Sequence, residues 1–297
     1  MDRTTDRARL ILVGVPYLWL LLFFAVPFLI VLRMSFSEVV VAIPPYAPTW
    51  DTWEGVRRFF VELNTENYRF LIDDPLYRVT YLNSLRIAGT ATVLALLVAY
   101  PMALAMARAP KAWQGLLLVL VIVPFWTSFL IRIYAWIAIL RREGLLNHAL
   151  MSLGLIDQPL GLIGTEFAVL LGIVYSYLPF MVLPLYAALE RQDPALLEAA
   201  ADLGCRPWAA FWRITLPLSV PGIAAGCFLV FIPAIGEYVI PELLGDARTQ
   251  MIGRTLWNEF FANRDWPVAS AVAVVLLLVL VIPIMVFQRM ANRAGAG

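Results

Sequence analysis

The sequence contains little charge, a single lysine and a single histidine. Only 14% of its 297 residues are charged and 62% are hydrophobic, whereas soluble domains carry about 25% charged residues. A water-soluble fold is therefore excluded. The single lysine, Lys111, follows Pro110 rather than a glycine, so the Gly-Lys-Ser/Thr pattern of a phosphate-binding loop is absent. The single histidine, His148, cannot supply a HExxH zinc site.

Cysteine is almost as scarce. Cys205 and Cys227 fall in a predicted loop and a predicted membrane span, which differ in depth and redox environment, so both are expected to be free thiols. The net charge of +1 gives no sign of nucleic-acid binding, and no nucleic-acid partner is expected. We also expect no catalytic residue, no metal site and no cofactor in this chain.

Long hydrophobic runs are what the sequence has instead. A membrane-spanning helix needs about 20 mostly apolar residues. Six stretches satisfy this requirement: 10–32, 85–107, 115–140, 166–189, 219–241 and 268–288. The sequence predicts an all-α membrane protein with six transmembrane helices, and the prolines within these stretches predict kinks.

The predicted spans divide the chain into a short tail (1–9), a first span, a large extracytoplasmic loop (33–84), a core (85–290) and a second tail (291–297). With the N-terminus inside, the inner segments hold ten Lys and Arg residues and the outer connectors nine. The outer connectors are about twice as long in sum, and the first is too long for the positive-inside rule to apply with force. We therefore expect both termini on the cytoplasmic side.

The predicted inner loop between the fourth and fifth spans, 190–218, carries the most specific pattern. Its residues read Glu198-Ala199-Ala200-Ala201-Asp202-Leu203-Gly204 and, nine residues later, Ile214-Thr215-Leu216-Pro217. Asp193 is a plausible N-cap for a short helix, with Pro194 at its first position. Gly204 permits the sharp turn that would end this helix.

This loop resembles the EAA loop of importer-type ABC permeases, whose pattern is EAA, three residues, G, nine residues, I, any residue, LP. Every fixed position is matched. The resemblance implies the type I ABC importer permease fold and a short helix that docks into a groove on a partner ATPase. The implied ATPase-coupling residues are Glu198, Ala199, Ala200, Gly204, Ile214, Leu216 and Pro217. An ordinary interfacial connector is the alternative.

Other stretches are similar to the polyamine branch of these permeases, above all to the first permease subunit of putrescine importers. They are 43–46, 73–77, 126–132, 156–160, 229–245, 251–253 and 263–271. The likeness covers most of the chain except the N-terminal tail and much of the first outer loop. It implies putrescine or spermidine as the substrate, and spermidine permeases share many of these features.

A polyamine is a flexible chain of methylenes between ammonium groups, so its path should offer carboxylates and aromatic faces. An ionisable residue within the membrane is costly and by default functional. Glu237 is the first choice for contact with the passing cation. The other candidates for the path are Glu242, Tyr238, Trp126 and Tyr134.

Each of these residues has a competing structural interpretation. Glu237 could instead pair with Arg132, which would neutralise both groups and stabilise the bundle. Any one of the aromatic residues could belong to the interface belt or to packing. Gly222 and Gly226 form a small-xxx-small pair that predicts close approach to another helix, with a second permease as one candidate.

The resemblance also implies where the chain is located and which subunits it binds. The chain would lie in a bacterial inner membrane beside a second, homologous permease. ATP and Mg²⁺ would be bound by a dimer of ATP-binding subunits, and an extracytoplasmic polyamine-binding protein would deliver the substrate. Three alternatives stay open: the same machine with a phosphonate, thiosulfate or ferric ion as cargo, an ion-coupled secondary transporter or channel, and a membrane sensor or scaffold.

Overall fold

A computed structural model describes residues 3–50, 52–61 and 63–294 of the chain, and most of them are helical. The α-helices of these ranges are α1 (Arg3–Leu20), α2 (Val26–Met34), α3 (Trp53–Val61), α4 (Glu66–Asp73), α5 (Pro75–Arg108), α6 (Lys111–Ile122), α7 (Phe129–Leu140), α8 (Leu145–Ser152), α9 (Glu166–Glu190), α10 (Ala195–Asp202), α11 (Pro207–Ala210), α12 (Leu216–Ile235), α13 (Val239–Leu244), α14 (Ile252–Trp257) and α15 (Trp266–Ala294). Shorter turns join several of them: the 3-10 turns Val123–Trp126 and Ala247–Thr249, and the π-helical turns Leu21–Ala25, Phe211–Thr215 and Asn258–Ala262. The predicted tails lie partly outside the described residues, and their boundaries stay a prediction.

The chain divides into two compact units. The first comprises Met1–Arg78 and Thr255–Val279, and the second comprises Val79–Arg254 and Leu280–Gly297. In the first unit, α1, a π-helical turn and α2 form one continuous apolar helix, Leu12–Met34. The same unit contains an antiparallel pair of strands, β1 (Glu38–Val39) and β2 (Tyr46–Ala47).

Side-chain hydrogen bonds organise the large outer loop of the first unit. The Asn67 amide donates to the carbonyls of Ser35 and Ser37 at 2.9 and 2.8 Å, and the hydroxyls of Ser35 and Tyr68 lie 2.6 Å apart. These bonds satisfy backbone groups that no helix or strand pairs. The loop is therefore an ordered element rather than an unstructured connector.

The second unit packs its helices around small side chains. A stripe of fully buried alanines on α5, Ala95, Ala99 and Ala103, belongs to the same core cluster as Met181 of α9 and Val230 of α12. Alanine leaves little bulk between helices, so their backbones approach closely, as is usual in membranes.

Four helices of the described residues are long and apolar enough to cross a membrane. They are Leu12–Met34, Pro75–Arg108, Glu166–Glu190 and Pro207–Ile235. A fifth is obtained if the bent pair Lys111–Trp126 and Phe129–Ser152 counts as one span, and Trp266–Val281 is a shorter apolar helix. The helical fold class and several spans are confirmed, whereas the number six and the orientation stay predictions.

The predicted third span, 115–140, is broken rather than continuous. Its two halves meet at an angle of 89°. Thr127 and Ser128 both adopt extended backbone conformations, with ψ of 151° and 137°, and the Thr127 hydroxyl donates to the Pro124 carbonyl at 2.7 Å. Two extended residues in succession redirect a helix, and a proline at the preceding turn removes a donor that would have continued it.

Candidate functional site

The first candidate site is the 190–218 loop, predicted to face the cytoplasm, which includes α10. The Asp193 carboxylate accepts the backbone N–H of Ala195 at 3.0 Å, and the Pro194 carbonyl accepts the N–H groups of Leu197 and Glu198. Helix α10 begins at Ala195 with Pro194 at the N-cap, one residue later than predicted, and the Asp193 carboxylate pairs the first backbone N–H of the helix from the residue before the cap.

Gly204 ends this helix in a left-handed conformation with φ of +75°. The N–H of Cys205 bonds to the Ala200 carbonyl and the N–H of Gly204 to the Ala201 carbonyl, both at 2.9 Å. This pair of bonds is the Schellman arrangement, in which glycine avoids the Cβ penalty of positive φ. Gly204 thus sets the direction in which the chain leaves α10.

The loop presents its surface outward. Glu198 and Ala199 are exposed, whereas Ala200 is buried against the rest of the unit. Leu203 is 88% exposed, an unusually open position for a leucine. The remaining pattern residues, which follow in the π-helical turn and at the start of α12, are half-buried Ile214, half-buried Leu216 and exposed Pro217. A helix face left open in this way is available to another chain.

An ion pair beside this loop was not predicted from the sequence. Lys111, at the start of α6, donates to Glu190, at the end of α9, at 2.7 Å. The carboxylate raises the pKa of Lys111, and the ammonium group lowers the pKa of Glu190. Because 79 residues separate the partners, no local spacing could have revealed the pair.

The second candidate site is a break between α12 and α13. Helix α12 ends at Ile235 and α13 begins at Val239, so the predicted span 219–241 is not one continuous helix and Glu237 lies where it is interrupted. One oxygen of Glu237 accepts the backbone N–H groups of Val239 and Ile240 at 3.0 and 3.4 Å. The carboxylate thereby caps α13, which is why a new helix starts there.

The other oxygen of Glu237 accepts the Tyr177 hydroxyl in a short hydrogen bond. Glu237 is only 7% exposed, and no basic side chain of the described residues forms an ion pair with it. Tyr177 is the twelfth of the 25 residues of α9, which places it roughly 17 Å from one end and 20 Å from the other. A buried carboxylate bound by neutral donors therefore lies near the middle of a membrane-length helix.

Arg132 does not pair with Glu237 in this conformation. Its guanidinium carbon lies 4.7 Å from the centre of the Phe125 ring and 5.7 Å from that of Phe129. Its Nε and Nη1 are buried without a hydrogen-bond partner. The ion pair with Glu237 stays a prediction, and no acidic side chain of the described residues forms an ion pair with Arg132.

Glu242, the second acidic candidate, forms an ion pair with Arg254 of α14. Its charge is therefore already compensated, unlike that of Glu237. Tyr238 is half-buried in the same break as Glu237. Arg254 could not be singled out from the sequence, because the fold alone brings it close to Glu242.

The two remaining aromatic candidates lie on the surface of this chain. Trp126 ends the 3-10 turn before the break at Thr127 and is 77% exposed, and Tyr134 of α7 is 57% exposed. Neither belongs to a packed core. Both are therefore open to lipid, to another subunit or to a substrate.

Comparison with known proteins adds the family context. The family described as "Binding-protein-dependent transport system inner membrane component" matches residues 92–294. The spermidine/putrescine transport system permease protein PotB of Haemophilus influenzae is 40% identical over 99% of this chain and 97% of its own length. PotB of Escherichia coli is 41% identical over 91% of this chain and 93% of its own length.

A solved structure shares the fold at low identity. It is the bacterial alginate ABC transporter in complex with an alginate pentasaccharide-bound periplasmic protein. The match has a TM-score of 0.72 and 19% identity, and covers 99% of this chain and 98% of the other. The arrangement of helices described above is thus one that ABC importer subunits adopt.

Proposed function

This chain belongs to the family of inner membrane components of binding-protein-dependent transport systems, and from that premise we propose that polyamines cross the membrane through it. It is a multi-pass inner-membrane permease subunit of an ABC importer and has no catalytic role of its own. We propose putrescine as the first substrate and spermidine as the second. The relatives described as spermidine/putrescine permeases support this choice over an anionic or metallic cargo.

The observation that carries the proposal is the position of Glu237. A polyamine is cationic along its length, so it needs a carboxylate where water is absent. Transporter sites are typically built at breaks in helices near the middle of the membrane. Glu237 occupies such a break, and the carbonyl end of α12, which carries partial negative charge, lies beside it.

We propose that an ammonium group of the substrate replaces the Tyr177 hydroxyl on Glu237. Such an exchange replaces an uncharged donor with a cationic one, so the carboxylate gains an ion pair in place of a hydrogen bond from a neutral hydroxyl. Tyr238 in the break, Glu242 beyond it, and exposed Trp126 and Tyr134 are the further contacts proposed for the path. The Glu242–Arg254 ion pair would have to open before Glu242 could take part.

Coupling to ATP is proposed to pass through α10. Its exposed Glu198 and Ala199 would contact a partner ATPase, and Gly204 would transmit the movement of α10 to the chain that leads into α12. In this scheme ATP and Mg²⁺ are bound by the ATPase subunits. Nucleotide biases the spans between inward-open and outward-open states only by binding the two states with different affinity.

The proposed assembly contains a second, homologous permease, an ATPase dimer and an extracytoplasmic polyamine-binding protein. The alginate transporter of the same fold is described in complex with a periplasmic protein, which supports docking of a binding protein here. We propose six spans with both termini in the cytoplasm. The sixth then includes the apolar helix Trp266–Val281, and the third is the bent pair.

Uptake of radiolabelled putrescine and spermidine tests the proposal. The complete transport operon is expressed in cells without their own polyamine uptake, with Glu237→Gln, Glu198→Arg, or the control Glu143→Gln, which neutralises an exposed acid of the same unit. We expect Glu237→Gln to reduce uptake at least tenfold, equivalent to about 1.4 kcal/mol. Glu198→Arg should abolish uptake and the co-purification of the ATPase, while Glu143→Gln should change neither.

The outcomes separate the parts of the proposal. Uptake that does not depend on the chain would exclude polyamines as the cargo. Normal uptake by Glu237→Gln would assign this residue to the capping of α13 alone. An ATPase that still co-purifies with Glu198→Arg would remove the coupling role of α10.

A further inference from the structure

Two cavities of the second unit adjoin each other at Tyr175. The arginine cavity, of about 410 Å³, is lined by Thr127, Ile131, Arg132, Trp136 and Tyr175, among others. The apolar groove, of about 440 Å³, is lined by side chains from α5, α6 and α9, including Met102, Leu117, Leu120, Pro124, Phe125 and Tyr175. Arg132 of the first cavity also stacks on Phe125 of the second. A cavity with a charged lining and a cavity with an apolar lining therefore lie side by side.

The arginine cavity has the charge of an anion site. Arg132 is only 8% exposed, yet two of its three nitrogens have no acceptor. A buried charge without a partner is costly. None of the residues that line the cavity is acidic, so within it the missing anion has to come from outside this chain.

The rest of the arginine cavity also favours a negative group. Trp136 can only donate a hydrogen bond, and the hydroxyl of Tyr175 can donate as well, whereas the Thr127 hydroxyl already donates to the Pro124 carbonyl. Arg132 lies in the first turn of the twelve-residue helix α7, where the helix dipole is positive. An oxyanion with several acceptor oxygens would satisfy this set of donors.

The apolar groove suits a hydrocarbon chain. Leu120 is 57% and Met102 36% exposed at its rim, so the groove is open to the surroundings of the helices. It runs along α6 from Leu117 to Phe125, a rise of about 12 Å. Apart from the Tyr175 hydroxyl its lining is apolar and contains no charged side chain, whereas an acyl chain needs only apolar contact.

We propose that these cavities together bind a phospholipid, with its phosphate at Arg132 and one acyl chain in the apolar groove. A single molecule with an anionic head and an apolar tail satisfies both ends. Fifteen residue steps along Lys111–Trp126 raise the chain by about 23 Å before the bend. In the topology proposed above this rise places Arg132 in the outer half of a hydrocarbon core about 30 Å thick.

Lipid binding to the full-length chain, purified with its partner subunits, tests the proposal. Native mass spectrometry with dioleoylphosphatidylglycerol measures occupancy. Dioleoylglycerol supplies the tails without phosphate, and inorganic phosphate supplies the anion without tails. We expect tight binding only of the phospholipid, and at least tenfold weaker binding after Arg132→Gln. Arg132→Lys should fall between, because lysine keeps the charge but not the planar fork.

Two further variants keep the test informative if Arg132→Gln fails to fold. Leu120→Trp should fill the groove and displace the lipid, whereas Leu116→Trp, on an exposed position of the same helix outside the groove, should not. Arg248→Gln, which removes an exposed arginine of the same unit, is the matched control for charge.

Several results would overturn the lipid proposal. Equal phospholipid binding by the unaltered chain and Arg132→Gln would do so, and so would full saturation by inorganic phosphate alone. Loss of the second permease from Arg132→Gln, without loss of lipid, would indicate a carboxylate from that subunit instead. A stability effect of Arg132→Gln that disappears in a Glu237→Gln background would indicate an internal ion pair.

Discussion

Glu237 is held by neutral donors and not by a cation. Two backbone N–H groups and the Tyr177 hydroxyl occupy its oxygens. Removal of one donor leaves a buried acceptor unsatisfied, which costs about 1–3 kcal/mol. Glu237 thus has two roles: it stabilises the start of α13, and it is proposed to contact the substrate.

Tyr177→Phe isolates the structural contribution of this hydrogen bond. We expect the free energy of unfolding to fall by about 1–3 kcal/mol, because the Glu237 oxygen loses its donor. Thermal unfolding of the purified transporter measures the change. Tyr134→Phe is the control, since that exposed side chain lies away from Glu237 and should lose little. Equal stability of the two variants would show that the hydroxyl bond contributes nothing net.

Gly204→Ala tests the left-handed turn after α10. A non-glycine residue in this conformation costs roughly 1–2 kcal/mol, and no neighbouring atom lies within 4 Å of the added Cβ. Any loss of uptake or stability would therefore come from the backbone. Gly115→Ala, inside α6 and also without a neighbour, should instead stabilise the chain or leave it unchanged. Gly204→Asn should be tolerated better than Gly204→Ala, because asparagine adopts this conformation more readily.

At the scale of the elements, the close approach of α9 to α12 explains why positions 222 and 226 are glycines. A Cβ at Gly222 would lie 2.5 Å from Ala188 Cβ and 2.8 Å from the Pro184 carbonyl oxygen. At Gly226 the nearest atom would be Met181 Sδ, at 2.7 Å. The pair serves packing within this chain, so a second permease is not needed to explain it.

Alanine at these two glycines should have unequal effects. Gly222→Ala meets backbone and a Cβ, which cannot move aside, and overpacking of this kind typically costs about 1–3 kcal/mol. At Gly226→Ala the closest contact is Met181 Sδ, which can rotate away, and the backbone of Met181 lies farther off, at 3.1 Å for its carbonyl oxygen and 3.3 Å for its Cα. We expect the melting temperature to fall more for Gly222→Ala than for Gly226→Ala. The reverse order would mean that α9 and α12 are less closely packed in solution.

The Lys111–Glu190 pair joins α6 to α9 and should make stability depend on pH. The folded pKa of Glu190 lies below its ordinary value of 4.5, so its stabilisation is present above 4.5 and is lost as pH falls through the folded pKa. The folded pKa of Lys111 lies above 10.5, so its contribution is present below 10.5 and is lost as pH rises through the folded pKa.

Thermal unfolding of Glu190→Gln and of the unaltered chain measures this effect. Their difference in melting temperature should be small at neutral pH, because both side chains are exposed and screened by salt. It should vanish as pH drops below 4.5. A difference that persists in acid or in concentrated salt would contradict an electrostatic origin.

At the scale of the whole molecule, the topology can be tested with the chain's own thiols. The proposed orientation places Cys205 of the inner loop in the cytoplasm. In a Cys227→Ala background, we expect a membrane-permeant maleimide to label Cys205 in intact cells and an impermeant one to fail. Arg248→Cys, in a proposed outer connector, should react with both reagents. Labelling of Cys205 by the impermeant reagent would show that the orientation is the opposite of the proposed one.

Much of this molecule could be predicted because its determinants are local. Apolar runs identify spans wherever the membrane replaces water. The ends of α10 depend on Asp193 and Gly204, which act through neighbouring backbone groups. The family resemblance of the inner loop rests on an uninterrupted pattern, and the comparisons confirmed that family and its polyamine branch.

Other features of the structure could not be predicted from hydropathy or from charge alone. The bend at Thr127 and the break at Glu237 interrupt stretches that hydropathy treats as uniform, because hydropathy does not register how a few backbone groups are paired. The predicted pairing of Arg132 with Glu237 followed from opposite charge alone. In the structure, aromatic rings lie against Arg132, and neutral hydrogen-bond donors bind Glu237.

The sequence by itself determined that this chain is a helical membrane protein, that its inner loop has the form of an ATPase-coupling loop, and that it contains no phosphate-binding loop of its own. Each of these properties depends on composition or on residues close together in the chain. Only the tertiary structure decided that Glu237 is bound by Tyr177, that Glu242 pairs with Arg254, and that Arg132 lies beside an apolar groove. These contacts join residues from different helices, and distances between helices are set by packing rather than by spacing along the chain.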